Sequence, residues 1–292
     1  MRGNTNLVDF FIVGAPKCGT TSLHKYLSLV QSIYLSQPKE LNYFSCDDLL
    51  SSKLYYKDKV IRSREEYDNI FTEAPRYSLK GEASVSYLFY QNVPKKIKKY
   101  NKDAKILIVL RDPIERAFSH YLMDRRLGYC NLTFEDVFYN RSAHPLHFQQ
   151  YFELGMYGKQ ISNYLSVFDN ENVLVIKDCE LSLEPNKTLN AVLNFLNISE
   201  TVNFDSSIKS NQYKEPSNVF FKKLYSFHSV RRFSQILIPQ KAQSEIKKLV
   251  FRNSSKPIIS KEIKEELSIF YKNDLMTLSE ILGFDFIEYW NI

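Results

Sequence analysis

Apolar residues are not spread evenly along this chain; they fall in short, nearly unbroken runs. Val8–Val13, Lys105–Leu110 (KILIVL) and Asn172–Ile176 (NVLVI) are too short for helices and rich in β-branched or aromatic residues. Leu79–Ala83 is a fourth such candidate. Strands that are apolar on both faces belong to a parallel sheet covered by helices. Between them the apolar spacing turns helical, over Ser22–Val30, Val93–Tyr100, Ile114–Leu127, Lys159–Phe168 and Pro185–Leu196. Pro113 and Pro185 suit first-turn positions. The alternation predicts an α/β fold, a central parallel sheet flanked by helices. From Ser217 onward the pattern is helical only: Val219–His228, Gln240–Phe251 and Lys261–Leu282, the last ending at Gly283 as a C-cap. The aromatic tail FDFIEYW is expected to pack back on the body. No repeat or Pro/Gly/Ser-rich linker divides the chain, so residues 1–292 read as one domain. Its α/β core spans 8–200, and 201–292 form a mostly helical C-terminal part.

Composition narrows the class without changing that picture. The 292 residues are 44% hydrophobic and 25% charged, which excludes collagen, long disorder and a disulfide scaffold. Thirty-nine Lys and Arg against 33 Asp and Glu leave a net charge of +6, suited to an anionic ligand and weak grounds for nucleic acid. Cys18, Cys46, Cys130 and Cys179 form no CxxC pair, so neither a zinc site nor a disulfide framework is expected. No apolar stretch reaches the ~18 residues of a membrane span, and Val8–Val13 is too short for a signal sequence. A cytoplasmic location is the expectation. The Asn-x-Ser/Thr triplets at Asn131, Asn140, Asn186, Asn197 and Asn253 are read as chance in an Asn-rich chain.

The first chemistry lies directly after the first strand. Gly14-Ala15-Pro16-Lys17-Cys18-Gly19-Thr20-Thr21 opens a helix. Glycines allow a tight turn and close backbone approach, and a helix N-terminus offers free N–H groups and partial positive charge. Lys17 adds a full charge, and Thr20, Thr21 and Ser22 add hydroxyls. The loop is P-loop-like but departs from G-x-x-x-x-G-K-[ST]: Thr20 stands where a nucleotide kinase has lysine, and the lysine lies mid-loop at position 17. No Asp-terminated strand supplies a metal partner, since the KILIVL strand ends in Arg111-Asp112.

That strand opens the second motif, Arg111 to Tyr121 (RDPIERAFSHY). Arg111 stands at the C-terminal end of a parallel strand, where open α/β sheets bind ligands. Its forked donors suit phosphate, and Ser119, about two turns on, adds another if the loop folds back. Asp112 reads as an N-cap. Glu115 and Arg116 read as facing solvent.

Together, GAPKCGTTSL (14–23) and RDPIERAFSHY (111–121) resemble the two signatures of sulfotransferases that use 3′-phosphoadenosine 5′-phosphosulfate (PAPS). The resemblance implies that the first loop, with Lys17, Cys18, Gly19, Thr20, Thr21 and Ser22, holds the 5′-phosphosulfate. Arg111 and Ser119 would hold the 3′-phosphate. It extends towards the heparan-type carbohydrate branch. Pro38–Phe44 (PKELNYF) looks like the acidic segment carrying the catalytic base, Glu40. Gly81–Tyr87 (GEASVSY) looks like a substrate-side strand end, implying acceptor contacts from Glu82, Ser84 and Tyr87. Tyr157 and the following ISNYLSVF resemble a later substrate-side helix. The match is good over 8–200 and loose beyond. Ala83 stands where some carbohydrate members carry a lysine, and Tyr164 stands at a tryptophan position. Pro216 is followed by Ser217 rather than Arg, with Lys209 or Lys214 as substitutes.

The activity so implied is sulfuryl transfer from PAPS to a hydroxyl or amine of a carbohydrate acceptor, a polysaccharide or its precursor, leaving 3′-phosphoadenosine 5′-phosphate (PAP). Such a transfer is an in-line displacement catalysed by positioning and charge stabilisation. Sulfuryl carries less charge than phosphoryl, so no metal is expected. Lys17 would stabilise the leaving phosphate and Glu40 would take the acceptor proton. Glu82 is the runner-up base; His24 is read as packed, and His120 as unneeded. Tyr43, Phe44, Tyr87 and Tyr157 are candidates to line the acceptor cleft. The basic run Lys95–Lys99 reads as a solvated helix face. Three other readings stand: a small-molecule or lipid-linked acceptor, a P-loop kinase or NTPase, and a non-catalytic nucleotide- or polysaccharide-binding protein.

Overall fold

In a computed structural model of the chain, residues 7–56, 60–74, 79–203, 215–216, 251–252 and 257–292 are described. Five parallel strands form the central sheet: β1 (Phe10–Gly14), β2 (Ile33–Leu35), β3 (Leu79–Ala83), β4 (Lys105–Leu110) and β5 (Val173–Lys177). Their order is β2-β3-β1-β4-β5. Phe10 pairs with Gly81 on one side and with Lys105 on the other, so β1 lies mid-sheet. All five β1 residues are buried, as the unbroken apolar run requires. Because β3 and β4 flank β1 from opposite directions, the chain reverses its winding there. The loops leaving these strands meet over one edge, the place where open α/β sheets bind ligands.

Twelve α-helices cover the sheet or follow it among the described residues: α1 (Thr20–Leu27), α2 (Cys46–Ser51), α3 (Arg64–Asn69), α4 (Val93–Tyr100), α5 (Pro113–Leu127), α6 (Phe134–Tyr139), α7 (Pro145–Tyr151), α8 (Tyr157–Leu165), α9 (Asp178–Leu183), α10 (Pro185–Phe195), α11 (Lys261–Leu282) and α12 (Phe286–Trp290). The four strands expected from sequence all form. β2 was not foreseen, because three residues carry no usable period. The short helices α2, α3, α6, α7 and α9 escaped for the same reason. Helix α1 starts two residues before its expected position, since Gly19 adopts φ 89° and turns the chain into it. Helix α8 starts at Tyr157 rather than at Lys159.

In the C-terminal part, α11 spans the residues expected of it. Ser260 accepts from the Ile263 N–H at its start, and Gly283 ends it at φ 63°. The tail forms α12 and packs back as expected, its Trp290 ring 6.1 Å from that of Tyr157. The expected helix 219–228 lies outside the described residues, as do 240–250, Lys209 and Lys214. Phe251, expected to end a helix, instead pairs with Pro216 in a two-residue antiparallel ladder. One core cluster takes in Val8 and Phe286. Among the described residues, no helix is long and apolar enough to cross a membrane.

Candidate active site

The loop from Gly14 to Gly19 is anchored at both ends. The Ala15 N–H donates to the Val109 carbonyl at 2.8 Å, tying the loop to β4. The Cys18 side chain is fully buried, its sulfur 3.5 Å from the Tyr157 hydroxyl, and enclosure pushes this thiol up to about 11. It points into the core, so only the backbone of Cys18 is available to a ligand. Lys17 takes φ 70° and Gly19 φ 89°, which bend the loop around its centre. Helix α1 then begins with no side-chain cap. Gly19, Thr20, Thr21 and Ser22 line a cavity of about 900 Å³, so the uncapped N-terminus opens onto it. An uncapped helix N-terminus with its dipole is the kind of wall that suits an anion. Lys17 lines the same cavity and donates to Met123 Sδ at 3.5 Å. Burial lowers its pKa to about 8, with Arg126 adding to the effect and Asp124 opposing it.

The second motif reaches the same cavity. Asp112 caps α5, its carboxylate accepting from the Ile114 and Glu115 N–H groups at 2.8 and 3.2 Å. Arg111, just before it, pairs with Glu115 at 3.1 Å and with Asp178 at 3.6 Å. Both Arg111 and Ser119 line the cavity. Two turns of α5 thus separate them in sequence, yet both face one cavity.

The sheet's other flank carries Glu40. Its N–H donates to the Ala83 carbonyl at 2.8 Å, continuing the course of β2 beyond the strand. One carboxylate oxygen accepts from the Val85 N–H at 2.8 Å, and the other pairs with Lys39. Glu40 and Lys39 both line the cavity.

A protein-family model described as a sulfotransferase domain matches residues 7–275. The chain belongs to the sulfotransferase family. It is 26% identical over 221 residues to the human bifunctional heparan sulfate N-deacetylase/N-sulfotransferase 2, covering 71% of this chain and 24% of that protein. To the human heparan sulfate glucosamine 3-O-sulfotransferase 3A1 it is 23% identical over 289 residues, covering 98% and 63%. The chain thus spans about a quarter of the first relative's length and under two thirds of the second's. Among solved structures, a sulfotransferase from Alicyclobacillus acidocaldarius superposes with a TM-score of 0.71 at 27% identity, covering 98% of this chain and 99% of that one.

In this sulfotransferase, Glu82, Ser84 and Tyr87 do not line the cavity; all three are buried beneath the Glu40 loop. Glu82 accepts from Ser84 at 2.5 Å, Tyr67 at 2.8 Å and Tyr87 at 3.1 Å. Burial pushes its carboxyl up to about 7. Ser84 in turn accepts from the Asn42 N–H at 3.0 Å, and Tyr87 from the Phe44 N–H at 3.3 Å. The trio expected to touch the acceptor instead ties down the loop that follows Glu40, at Asn42 and Phe44. Tyr157 is likewise fully enclosed. Phe44 is core, and Tyr43 stacks on Tyr67 at 4.5 Å. The aromatic rings that do line the cavity are Tyr26, Tyr56, Phe89 and Tyr90.

Arg116 corrects another expectation. It does not face solvent but is wholly buried. Its guanidinium donates to the Gln150 carbonyl at 2.9 Å and to that of Tyr151. These are last-turn carbonyls of α7, which have no partner within their own helix and carry its negative dipole end. Glu115 does reach solvent. His24 is buried, as read.

Several site residues went unforeseen. Asp178 begins α9 directly after β5; its place at a strand end was a usable signal. Tyr56 lines the cavity with no local pattern to announce it, and His120, part of the second motif but read as unneeded, lines it too.

Proposed function

We infer that this sulfotransferase moves the sulfuryl group of PAPS to a hydroxyl or amine of a carbohydrate acceptor. The observation that carries the reading is that one cavity is walled by an uncapped helix N-terminus, by Lys17, by Arg111 with Ser119, and by Glu40. That donor set fits the two anionic ends of PAPS: the loop and the start of α1 for the 5′-phosphosulfate, Arg111 and Ser119 for the 3′-phosphate. Arg111 would exchange its pairing with Glu115 and Asp178 for the phosphate.

In the transfer, the S–O bond to the 5′-phosphate breaks as a bond from the acceptor oxygen or nitrogen to sulfur forms. Lys17, protonated at neutral pH, stabilises the charge growing on the leaving phosphate oxygen. Glu40 takes the acceptor proton, its orientation set by the Val85 N–H. Leu49, Leu54 and Phe89 also line the cavity, which favours a second reading: an acceptor with an apolar part, such as a small molecule or a lipid-linked saccharide.

The test is Glu40→Gln with labelled PAPS and an acceptor panel, alongside calorimetry with PAP. Turnover is expected to fall by about 10²–10⁴-fold while PAP binding is unchanged. A parent that binds no PAP, or a variant as active as the parent, overturns the reading.

A further inference from the structure

We propose that Asn42 is a positioning residue for Glu40: its side-chain amide closes a ring of hydrogen bonds that fixes the Glu40 backbone and aims the carboxylate at the cavity. That this aim serves proton transfer rests on the role given to Glu40 above; the link between the two residues does not.

Glu40 needs holding. It takes φ 66°, in the left-handed region. There a Cβ crowds the following carbonyl oxygen, and a glutamate, unlike Asn or Gly, has no local reason to stay. Two bonds, one on each side of its Cα, supply the reason. The Glu40 N–H donates to the Ala83 carbonyl of β3 at 2.8 Å. The Glu40 carbonyl accepts from Asn42 Nδ2 at 3.1 Å. A residue has only two soft backbone dihedrals, and holding both its N–H and its C=O restrains both. Asn42 itself takes φ 55°, which asparagine tolerates.

A left-handed turn explains an asparagine at this position but not where its amide goes. Asn42 is only 3% exposed. Its Oδ1 accepts from the Ser86 hydroxyl at 2.8 Å, and its N–H donates to Ser84 at 3.0 Å. A carbonyl only accepts, so Nδ2 must face Glu40 and Oδ1 must face Ser86; the amide has one orientation. With the Ser86 hydrogen committed, the 2.7 Å contact between Ser45 and Ser86 has Ser45 as donor. Ser86 follows Val85 in the 3₁₀ turn Val85–Leu88, and it is the Val85 N–H that donates to Glu40 Oε2 at 2.8 Å. The ring therefore runs from the Glu40 carbonyl through the Asn42 amide to Ser86, back one residue to Val85, and out to the Glu40 carboxylate. One turn both aims the carboxylate and anchors the amide that fixes its backbone. Lys39, on the other carboxylate oxygen, belongs to the Glu40 loop and moves with it. Asn42 and Ser86 line the cavity beside Glu40. The N–H, Oδ1 and Nδ2 of Asn42 each have a protein partner already, which marks it as holding Glu40 rather than the acceptor.

Asn42→Gly keeps the tolerance for positive φ and removes the amide. Crystal structures of parent and variant read the link apart from activity. In the variant, Glu40 is expected to leave positive φ or its carboxylate to leave the Val85 N–H. In turnover of the acceptor panel with labelled PAPS, kcat is expected to fall about 10- to 100-fold, the cost of a misplacement of about 1 Å, with KM for PAPS and PAP affinity within about twofold of the parent. In a Glu40→Gln background the same substitution should cost less than about threefold, because no base is left to aim; a general loosening of the fold would cost the same in both backgrounds. Ser86→Ala, which frees Oδ1, should act in the same direction by less. An unmoved Glu40 in Asn42→Gly overturns the proposal, as does an equal loss of turnover with and without Glu40. Should Asn42→Gly not fold, an unmoved Glu40 in Ser86→Ala overturns it. A moved Glu40 with undiminished turnover overturns the part concerning transfer. A parent without PAPS-dependent transfer, or a Glu40→Gln variant as active as the parent, instead fails the functional reading, and the crystal structures then decide the link alone.

Discussion

Glu82→Gln exchanges an enclosed carboxylate for a neutral amide of the same outline. In the parent, burial pushes this carboxyl from the 4.5 of an ordinary glutamate to about 7; the Glu40 charge adds to that, and the donors Ser84, Tyr67 and Tyr87 oppose it. A folded-state pKa above the unfolded one means that the native chain keeps a proton the unfolded chain releases. The group's contribution to stability is therefore full below pH 4.5 and is lost as pH rises through about 7. At about 1.4 kcal/mol per pH unit, that interval is worth about 3 kcal/mol. Glutamine can keep most of the bonds. Its oxygen takes the place of the one receiving Tyr67 and Tyr87, and its amide donates to Ser84, which already accepts from Asn42. The Ser84 hydroxyl hydrogen loses its acceptor, a loss of about 1 kcal/mol that is the same at every pH. Urea denaturation of parent and variant at pH 5 and pH 8 isolates the charge. The variant's stability relative to the parent should improve by about 2.5 kcal/mol between the two. A difference that does not change with pH would refute the claim that Glu82 holds its proton near neutrality.

Two further outcomes follow from packing and charge. Arg111→Ala should weaken PAP binding about 10- to 100-fold by calorimetry, the worth of hydrogen bonds to a charged group, with little change in unfolding temperature because Arg111 is partly exposed. Gly158→Ala should lower stability by about 1–3 kcal/mol in chemical denaturation, since its Cβ would lie 2.3 Å from the Asp274 carbonyl on α11; an unaffected variant would mean that α8 and α11 do not pack as described.

What the sequence could and could not disclose divides along a physical line. The phosphate-type loop and Arg111 were legible because each sits at the end of an unbroken apolar run, and parallel strands bring their C-terminal ends to one edge. Once β1 and β4 are neighbours, pairing Phe10 with Lys105, the two motifs meet without any further information. Glu40 was legible only through its resemblance to a family segment. It follows β2, a strand of three residues, and its own placement depends on a hydrogen bond to Ala83, 43 positions away. Arg116 misled for a related reason. A charged residue on a helix is ordinarily solvated, and nothing near it in sequence reveals that the carbonyls of Gln150 and Tyr151 close over it. Glu82, Ser84 and Tyr87 look from sequence like polar groups presented to a ligand, yet they satisfy one another and neighbouring backbone beneath the site. Polar residues that touch a ligand and polar residues that hold those residues still have the same local pattern. They differ only in whether their partners come from the protein or from outside it, and partners remote in the chain are what a linear pattern does not carry.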